Sequence, residues 1–566
     1  MKRLRLQRPE LERYRLALFA GLLLSLAFPK FNIAGLAWIA PGLILVSGIG
    51  FRGGAAFRIG FVAGMAYHLV ALYWILLIPM GFPWKGVVVL GWLLLSAYCS
   101  LYQGIWVWLV WRLSPRLEPE STPSSVLDTQ PSLVESIRAV SSIGWARRTV
   151  WCLLAAALWV ALEMVQARFL TGFPWALLGV SQYQMIPLIQ VTAFTGMYGV
   201  AFLIVWTSAS LLCASSVLLS NPAMRRTWMA DLFLPVFLIA LVFAFGMHRV
   251  LHTPPAPRQI TAALIQPSIP QTTIWDPREE QTRFQQVLAW SRKALSELPK
   301  PDLLVWPEAA VPGLFLWDTN KYDGKSVYEW VSDFARDNQI WLVMGADDAE
   351  PFPDGRVNYY NTSFLVSPTG EIIAKYRKRR LVIFGEYVPF SRWLPFLSKM
   401  VQSEGEFTPG KQPVAFRLNS LHMVTSVLIC FEDIFPHLVR EYTEHDTDFL
   451  LNLTNNGWFG ESAAQWQHAA SAVYRAIEHN VPLVRCANNG LTCWVDRNGR
   501  MHDVYFPDSR DVYKAGYKVV QVPVGSTVKY TPTFYRRYGD LFGWLCCALS
   551  GATWAFFEIR RFRITR

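Results

Sequence analysis

Charged residues are scarce in this sequence. Only 17% of its 566 residues are Asp, Glu, Lys or Arg, whereas an average soluble domain carries about 25%, and 52% are hydrophobic. This composition excludes a disordered chain and argues against an ordinary soluble enzyme. Cysteine is sparse as well: 8 residues in so long a chain exclude a small disulfide-rich protein, and no Cys/His spacing indicates a metal site.

Long apolar runs fill the chain before residue 252. A helix needs roughly 20 mostly apolar residues to cross a bilayer. Seven such runs precede residue 252 and an eighth closes the chain, at 14–29, 33–50, 56–81, 86–112, 148–168, 187–219, 228–250 and 539–558. The sequence therefore predicts a membrane domain over 14–252 with seven transmembrane helices, and an eighth helix over 539–558. A Ser- and Pro-rich stretch at 114–147 is predicted to be a flexible linker.

Few ionisable residues lie inside these predicted spans. Glu163 in the fifth span and His68 in the third are the main ones. An ionisable residue within a membrane is a candidate for function, but a structural role stays equally open for Glu163 because it lies near the end of its span.

Basic residues are distributed unevenly around the predicted spans. The loops and tails that would share one side of the membrane carry 19 Lys and Arg residues, whereas the alternate short loops carry only Lys30, Lys85 and Arg168. Because basic loops stay in the cytoplasm, we expect cytoplasmic tails at 1–13 and 559–566 and an external segment between spans seven and eight. The net charge of +12 then reflects topology and gives no reason to expect nucleic-acid binding.

The region at 258–530 alternates β-rich runs with helical segments. Apolar runs predict strands at 260–265, 303–306, 340–344, 363–366, 424–429, 449–453, 482–486 and 518–522. Helices are predicted at 278–297, 326–337 and 463–479. Strands that alternate with helices indicate a layered α/β domain, and a region of this length suffices for one large core.

Several strand ends in this domain carry short polar motifs, at the positions where α/β proteins usually place their chemistry. Glu308 ends L-L-V-W-P-E, Lys378 lies in Y-R-K-R-R, and Cys430 lies in V-L-I-C-F-E-D. A carboxylate can act as a general base, a cysteine as a nucleophile, and an ammonium can stabilise an oxyanion. Each also has a plain structural interpretation, since such a Cys is usually inert, such a Glu can cap a helix, and a Lys in a basic run is usually solvated.

Together these motifs resemble those of the nitrilase (carbon–nitrogen hydrolase) superfamily, in which a Glu–Lys–Cys triad lies on an α-β-β-α sandwich. With the predicted spans on either side, the chain is similar to one branch of it, the bacterial apolipoprotein N-acyltransferases. The resemblance covers about 15–560 and includes E-M-V-Q-A-R-F-L-T-G-F-P-W at 163–175, P-L-I-Q-V-T-A-F-T-G-M-Y-G-V-A-F at 187–202, I-Q-P-S-I-P-Q-T-T-I-W at 265–275 and L-V-I-F-G-E-Y-V-P at 381–389.

The resemblance implies a role for each matching residue. Cys430 would be the nucleophile, Glu308 the general base and Lys378 the stabiliser of the oxyanion. The supporting residues would be Glu386, Glu432, Phe431 and Trp275, with Trp275 near the acyl or lipoprotein site. Three positions depart from the family pattern: Phe431 stands where Tyr is frequent, Ile383 where Pro is usual, and Asn456 where Asp is common.

The implied reaction is a two-step acyl transfer without a cofactor. A phospholipid acylates Cys430, and the α-amine of a diacylglyceryl-cysteine lipoprotein then takes the acyl chain, which predicts ping-pong kinetics. The family also implies a bacterial inner-membrane protein with a periplasmic catalytic domain, and we expect a monomer. Two alternatives stay open: a membrane-anchored amidase or nitrilase that passes the acyl group to water, and a non-catalytic membrane scaffold.

Two smaller features are also left open by the sequence. Cys486 and Cys493 flank A-N-N-G-L-T, where a hairpin would allow a disulfide but two free thiols are equally compatible. Arg379 and Arg380 beside Lys378 could attract lipid phosphate groups or could simply form a solvated loop.

Overall fold

The computed structural model contains two compact units of different construction. One unit consists of residues 1–75, 89–251 and 540–566, and the other of 76–88 and 252–539. The structure describes residues 8–80, 85–115, 132–220, 222–223, 225–274, 276–317, 321–322, 324–389, 406–507, 509–525 and 532–564.

The first unit is built from helices alone in its described residues. They are Arg8–Leu26, Ala40–Gly48, Gly53–Ala71, Lys85–Arg112, Leu133–Ser141, Trp145–Gln166, Ile186–Ile189, Thr192–Thr195, Tyr198–Ser220, Arg225–Leu251 and Leu541–Ile564. Within the described part of the chain, six helices are long and apolar enough to cross a membrane. The helix Arg8–Leu26 is long but is not one of the six. The eight-span topology itself stays a prediction.

Two predicted spans are interrupted in the structure. The span at 33–50 consists of a 3-10 turn, Ala34–Trp38, and a short helix, Ala40–Gly48. The run at 187–219 was expected to be continuous, but it begins as two short helices, Ile186–Ile189 and Thr192–Thr195, before the long helix Tyr198–Ser220. Gly196 has a φ of 63°, a conformation that ends the helix Thr192–Thr195 and that residues other than glycine rarely adopt. The long helix therefore starts eleven residues later than the hydrophobic run.

The predicted linker at 114–147 contains a helix. Residues 116–131 lie outside the described part, but Leu133–Ser141 is helical and opens with a capping box. The Ser132 hydroxyl accepts from Glu135 N at 3.2 Å, and Glu135 Oε2 accepts from Ser132 N at 2.8 Å. The prediction of a linker without regular structure was wrong here because the S-x-x-E signature was overlooked.

Glu163, the ionisable residue of the predicted fifth span, is buried and bonded within the helical unit. Its Oε1 accepts from Trp159 Nε1 at 3.0 Å and from Leu178 N at 2.7 Å, so it ties the helix Trp145–Gln166 to the segment that follows. His68 is also buried, with Nδ1 2.9 Å from Gly64 O. For Glu163 these contacts favour the structural role.

The second unit holds fourteen strands in its described residues. In chain order, β1 to β14 are Arg258–Gln266, Leu303–Val305, Lys321–Tyr322, Lys325–Ser326, Trp341–Pro351, Val357–Val366, Ile372–Arg377, Ala415–Leu418, Met423–Ile429, Phe449–Thr454, Leu483–Ala487, Cys493–Val495, Met501–His502 and Gly516–Val524. Its helices are Glu280–Leu295, Val327–Asn338, Pro436–Glu441, Ala463–His479 and Phe534–Tyr538. Every strand and helix that the sequence predicted in this region is present.

Two six-stranded sheets of similar topology form the centre of this unit. One has the order β14-β1-β2-β5-β6-β7 and the other β13-β12-β11-β10-β9-β8. Each has three parallel strands in its middle, β1, β2 and β5 in the first sheet and β9, β10 and β11 in the second. Parallel strands buried on both faces read as continuous apolar runs, which is why these were the easiest to predict.

The two sheets face each other, and helices cover their outer faces. Cys486 Sγ of β11 lies 3.2 Å from Ile265 O of β1 and 3.3 Å from Val305 O of β2, which brings the sheets together. On the outer side of the first sheet, Phe284 and Val287 of the helix Glu280–Leu295 pack with Trp306 in one buried core. The result is the expected α-β-β-α sandwich.

Cys486 and Cys493 are free thiols. In the antiparallel pairing of β11 with β12, Arg485 lies opposite Cys493. Because neighbouring residues of a strand point to opposite faces, Cys486 and Cys493 face away from each other. The disulfide that the sequence left open is therefore absent for a reason of register.

The helix Ala463–His479 offers a test of the local packing, because the Ser462 hydroxyl accepts from Ala464 N at 3.2 Å at its start. We expect Ser462→Ala to lower the free energy of unfolding of the full-length protein by about 1 kcal/mol, measured with denaturant in detergent. Ser296→Ala, which removes an exposed hydroxyl bonded to Arg292 O, should change it by less than about 0.5 kcal/mol. Equal effects of both substitutions would contradict the capping role.

Candidate active site

Each of the three candidate residues follows a central or edge strand of the sandwich. Glu308 comes three residues after β2, Lys378 directly after β7, and Cys430 directly after β9. Lys378 is almost completely buried and Glu308 is buried, whereas Cys430 is partly exposed. The fold thus gathers residues that are 70 and 52 positions apart in the chain.

The Lys378 ammonium is shared between two carboxylates. Its Nζ lies 3.1 Å from Glu308 Oε1 and 2.9 Å from Glu386 Oε1. The side chain of Asn361 on β6 donates to the same two oxygens, at 2.9 Å each. Burial alone would lower the pKa of Lys378, but the charges of Glu308 and Glu386 hold its pKa well above the ordinary value. Lys378 is therefore a buried cation, not a solvated member of the basic run.

Backbone amides fix the remaining carboxylate oxygens. Glu308 Oε2 accepts from Asn455 N at 2.9 Å, and Glu386 Oε2 accepts from Val382 N at 2.8 Å. These bonds hold Glu308 and Glu386 in place as hydrogen-bond acceptors. Two carboxylates around one ammonium give this cluster a net negative charge.

Cys430 lies at a strained turn beside this cluster. Its φ is +55°, in the left-handed region that a residue with a side chain seldom occupies. Its Sγ accepts from the Thr454 hydroxyl at 3.6 Å, and its carbonyl accepts from Asn452 Nδ2 at 2.7 Å. Burial and the charge of Glu308 raise the pKa of Cys430 to about 12, although Lys378 acts in the opposite direction. The thiol is therefore protonated at neutral pH.

Glu432 holds the Cys430 turn to the segment that carries Lys378. It accepts from Ile429 N at 2.8 Å on one side and from Arg379 N and Arg380 N, at 2.8 and 3.1 Å, on the other. The Tyr376 hydroxyl completes its partners at 2.8 Å. Glu432 is completely buried and does not bond to Lys378, so its contacts are those of a supporting residue.

A second buried charge cluster anchors the same turn from behind. Asp433 pairs with Arg485 of β11, and its Oδ1 lies 2.6 Å from His468 Nε2 on the helix Ala463–His479. His468 Nδ1 in turn lies 3.1 Å from Asn456 Oδ1. The position where the family commonly has Asp is thus occupied here by an amide that contacts His468.

The remaining predicted residues have varied surroundings. The Phe431 ring lies 5.6 Å from Lys378 Nζ and 5.4 Å from the Phe435 ring, so the residue supplies an apolar wall where a hydroxyl is frequent. Trp275 lies outside the described residues. The side chain of Arg379 pairs with Glu441 at 2.7 Å and lies over the Tyr442 ring. Its guanidinium therefore already has an ion-pair partner and an aromatic contact within the protein.

Sequence reasoning missed three residues that contact the site. Asn361 bonds to both carboxylates, the Asn455 amide bonds to Glu308, and Thr454 contacts the sulfur. Thr454 and Asn455 directly follow the predicted strand at 449–453, and this position at a strand end is the signal that could have identified them. Asn361 had no comparable signal, since it lies inside the strand V-N-Y-Y-N-T-S-F-L-V, where several polar residues occur and nothing distinguishes it.

Two family models match the chain. The carbon–nitrogen hydrolase model matches residues 261–523, and the model of the apolipoprotein N-acyltransferase N-terminal domain matches residues 20–210. The first spans the α/β unit just described, and the second lies within the helical part of the chain.

Relatives match the chain over nearly its whole length. The chain is 35% identical over 541 residues to the apolipoprotein N-acyltransferase of Geobacter metallireducens, covering 94% of this chain and 93% of the relative. It is 28% identical to that of Vibrio cholerae, covering 95% and 96%. Among solved structures, Saccharomyces cerevisiae Nit3, a member of branch 10 of the nitrilase superfamily, matches at 18% identity with a TM-score of 0.34, covering 47% of this chain and 91% of its own.

The raised pKa of Cys430 predicts how its alkylation depends on pH. Since only the thiolate reacts, we expect the rate of carbamidomethylation of Cys430 by iodoacetamide to rise about tenfold per pH unit from pH 7 to 9, without a plateau. Glu308→Gln removes a charge that raises this pKa and should shift the profile to lower pH. Peptide mass spectrometry on the intact protein in detergent measures the rate, with urea-unfolded protein as the control for an unperturbed thiol. A plateau below pH 8 in the folded wild-type protein would contradict the prediction.

Proposed function

The chain belongs to the apolipoprotein N-acyltransferase family, and from this we propose that it transfers a fatty acyl chain from a phospholipid, through a Cys430 thioester, to the N-terminal amine of a diacylglyceryl-cysteine lipoprotein. Its relatives identify it as an acyltransferase. Together with six long apolar helices, they identify it as a multi-pass bacterial membrane protein.

The observation that carries the proposed mechanism is the buried cluster around Lys378. One ammonium and the carboxylate of Glu308 lie within 3.1 Å of each other, and their charges act on the partly exposed Cys430. This combination supplies a nucleophile, a base and a positive charge without a metal ion. We assign these roles to Cys430, Glu308 and Lys378, with Glu386, Glu432, Phe431 and Trp275 as supporting residues.

The first step forms the acyl-enzyme. Because the Cys430 thiol is protonated at rest, its proton must pass to Glu308 as Sγ bonds to the ester carbonyl carbon of the phospholipid. The Lys378 ammonium stabilises the oxyanion that forms on the carbonyl oxygen. The ester C–O bond then breaks, Glu308 returns the proton to the departing glycerol oxygen, and a lysophospholipid leaves.

The second step releases the product. The free α-amine of the lipoprotein attacks the thioester carbonyl and loses a proton to Glu308, the C–S bond breaks, and the thiol is restored with that proton. The product is an amide-linked acyl chain on the lipoprotein. Both substrates are lipids, which gives a physical reason for attaching an α/β catalytic unit to a helical membrane unit.

The two other functions make different predictions about the thioester. An amidase would lose its acyl group to water without an amine, and a scaffold would form no acyl-enzyme at all. A stable thioester that a diacylglyceryl peptide discharges belongs to an acyltransferase alone. The extent of the helical unit supports the acyltransferase, since one helix would suffice to anchor a hydrolase.

The central prediction concerns covalent acylation of Cys430. Purified protein in detergent, incubated with a phospholipid of defined chains, should gain the mass of one acyl group and release one equivalent of lysophospholipid. Cys430→Ala should gain none, and Glu308→Gln should acylate about 10²- to 10⁴-fold more slowly because it lacks the base. Intact-protein mass spectrometry measures both.

A matched control for the nucleophile is Cys486→Ala, which removes another thiol of the same unit, bonded to backbone carbonyls, and should leave acylation intact. Addition of a synthetic diacylglyceryl-cysteine peptide with a free amine should return the wild-type enzyme to its original mass. Acylation of the Cys430→Ala variant, or loss of the acyl group to water at the same rate with and without the peptide, would refute the proposed function.

We further propose that residues 258–530 form a periplasmic catalytic domain and that both tails, 1–13 and 559–566, are cytoplasmic. The support is the excess of Lys and Arg in one alternating set of loops. On this topology the membrane domain covers 14–252, the loop 114–147 is cytoplasmic, and the last span covers 539–558.

This topology predicts which single cysteines react from outside the cell. On a background in which all 8 native cysteines are replaced by alanine, Asp354→Cys, at an exposed position of the α/β unit, should be labelled in intact cells by a membrane-impermeant maleimide after permeabilisation of the outer membrane. Ser141→Cys, in the loop predicted to be cytoplasmic, should be labelled only after lysis. The opposite pattern would invert the proposed orientation.

A further inference from the structure

A buried amide donor lies beside the candidate active site and is not used by the mechanism above. Gln271 lies between β1 and the helix Glu280–Leu295 and is 93% buried. Its Nε2 is enclosed and has no hydrogen-bond acceptor among the residues that the structure describes. A buried donor without an acceptor is unfavourable, so its presence calls for a partner of some kind.

The orientation of the Gln271 amide follows from backbone donors. Gly457 N, which can only donate, bonds to Asn455 Oδ1 at 3.1 Å, and this identifies the other atom of the Asn455 amide as Nδ2. Asn455 Nδ2 donates to Gln271 Oε1 at 2.8 Å. The oxygen of Gln271 is therefore the atom facing Asn455, and its NH₂ group is the atom left for another acceptor.

A third amide makes this arrangement rigid. Asn488 Nδ2 donates to Asn455 Oδ1 at 3.0 Å and to Ile269 O at 2.9 Å, and its Oδ1 accepts from Ile269 N at 3.0 Å. The segment before Gln271 is thus fixed through both backbone groups of Ile269. The direction of the Gln271 donor is set before any ligand binds, which lowers the entropy cost of binding.

The donor belongs to the same set of contacts as the base and the nucleophile. Asn455, which bonds to Gln271 through its side chain, bonds to Glu308 Oε2 through its backbone N–H at 2.9 Å. The preceding residue, Thr454, contacts Cys430 Sγ. Gln271 is thus linked to Glu308 through one residue, Asn455, and to the Cys430 sulfur through two, Asn455 and Thr454.

We propose that Gln271 Nε2 donates a hydrogen bond to an oxygen of a substrate while that substrate occupies the Cys430 site. This inference rests on the proposed function and adds a substrate-binding residue to it. The chemistry that fits is a carbonyl or phosphate oxygen, which accepts without needing a positive partner. Two substrates carry such oxygens, the phospholipid donor and the peptide segment of the lipoprotein, and the two half-reactions separate them.

Three variants distinguish the lost donor from other effects. Gln271→Glu removes the donor but keeps an oxygen that can accept from Asn455, and it adds a negative charge. Gln271→Met removes both the donor and the acceptor without adding charge. Thr273→Val, which deletes a hydroxyl bonded to Pro270 O in the same segment, is the control and should behave like the wild-type protein.

The test measures each half-reaction with full-length protein in detergent. Acylation is followed with a defined phospholipid, and deacylation with a synthetic diacylglyceryl peptide added to preformed acyl-enzyme. We expect both Gln271 variants to raise the half-saturating concentration of one and the same substrate about five- to tenfold, the effect of one lost hydrogen bond. The affected half-reaction identifies the substrate that Gln271 contacts.

Each other outcome overturns the inference. If only Gln271→Met raises the half-saturating concentration, Gln271 has the structural role of holding Asn455. If only Gln271→Glu raises it, the effect reflects the added charge near Glu308. Half-saturating concentrations within twofold of wild type in both variants exclude any substrate contact. A wild-type protein that is never acylated overturns the proposed function together with this inference, whereas an acylated wild type with unaffected variants overturns the inference alone.

Discussion

The contact on which the rest of this site depends is the bond between the Lys378 ammonium and two carboxylates. A lysine that is 1% exposed needs neutralising partners, and Glu308 and Glu386 provide one charge more than is required. Asn361 and two backbone N–H groups stabilise the surplus charge. Burial, together with the charge of Glu308, raises the pKa of the neighbouring Cys430. In the proposed reaction a protonated thiol requires a general-base mechanism, in which the proton leaves the thiol as the new bond forms.

Glu432 holds Cys430, the proposed nucleophile, and Lys378 in their relative positions. Glu432 accepts from Ile429 N just before Cys430 and from the backbone N–H groups of Arg379 and Arg380 just after Lys378. One carboxylate thus joins the ends of β9 and β7, which lie in different sheets. Asp433 fastens the other side of the same turn to His468 and Arg485. The positive φ of Cys430 is a conformation that such a turn would abandon if it were held less firmly.

The central strands were predicted because they are continuous apolar runs, and Glu308 and Cys430 each follow such a strand. The sandwich and the part assigned to Lys378, which follows the edge strand β7, came from the family resemblance. The parts that it did not predict depend on tertiary contacts. Lys378 in isolation resembled a solvated lysine, and only the fold brings Glu386 and Asn361 to it. Asn361 and Asn455 act through single amide groups whose partners are distant in sequence. The break at Gly196 and the helix Leu133–Ser141 within the predicted linker depend on local signals that a hydropathy average hides.

Shared catalytic groups cannot by themselves separate transfer from hydrolysis, since Glu308, Lys378 and Cys430 would form the same thioester for water as for an amine. The choice must come from what reaches the thioester and how it is oriented. Around this cluster the described contacts are unusually complete: both oxygens of Glu308, both of Glu386 and the Lys378 ammonium have protein partners. Groups already bonded in this way serve the reaction and have little capacity left to recognise a substrate. Recognition must then fall to groups at the edge of the cluster that still have a donor to offer, and the amide of Gln271, oriented through Asn455, is such a group.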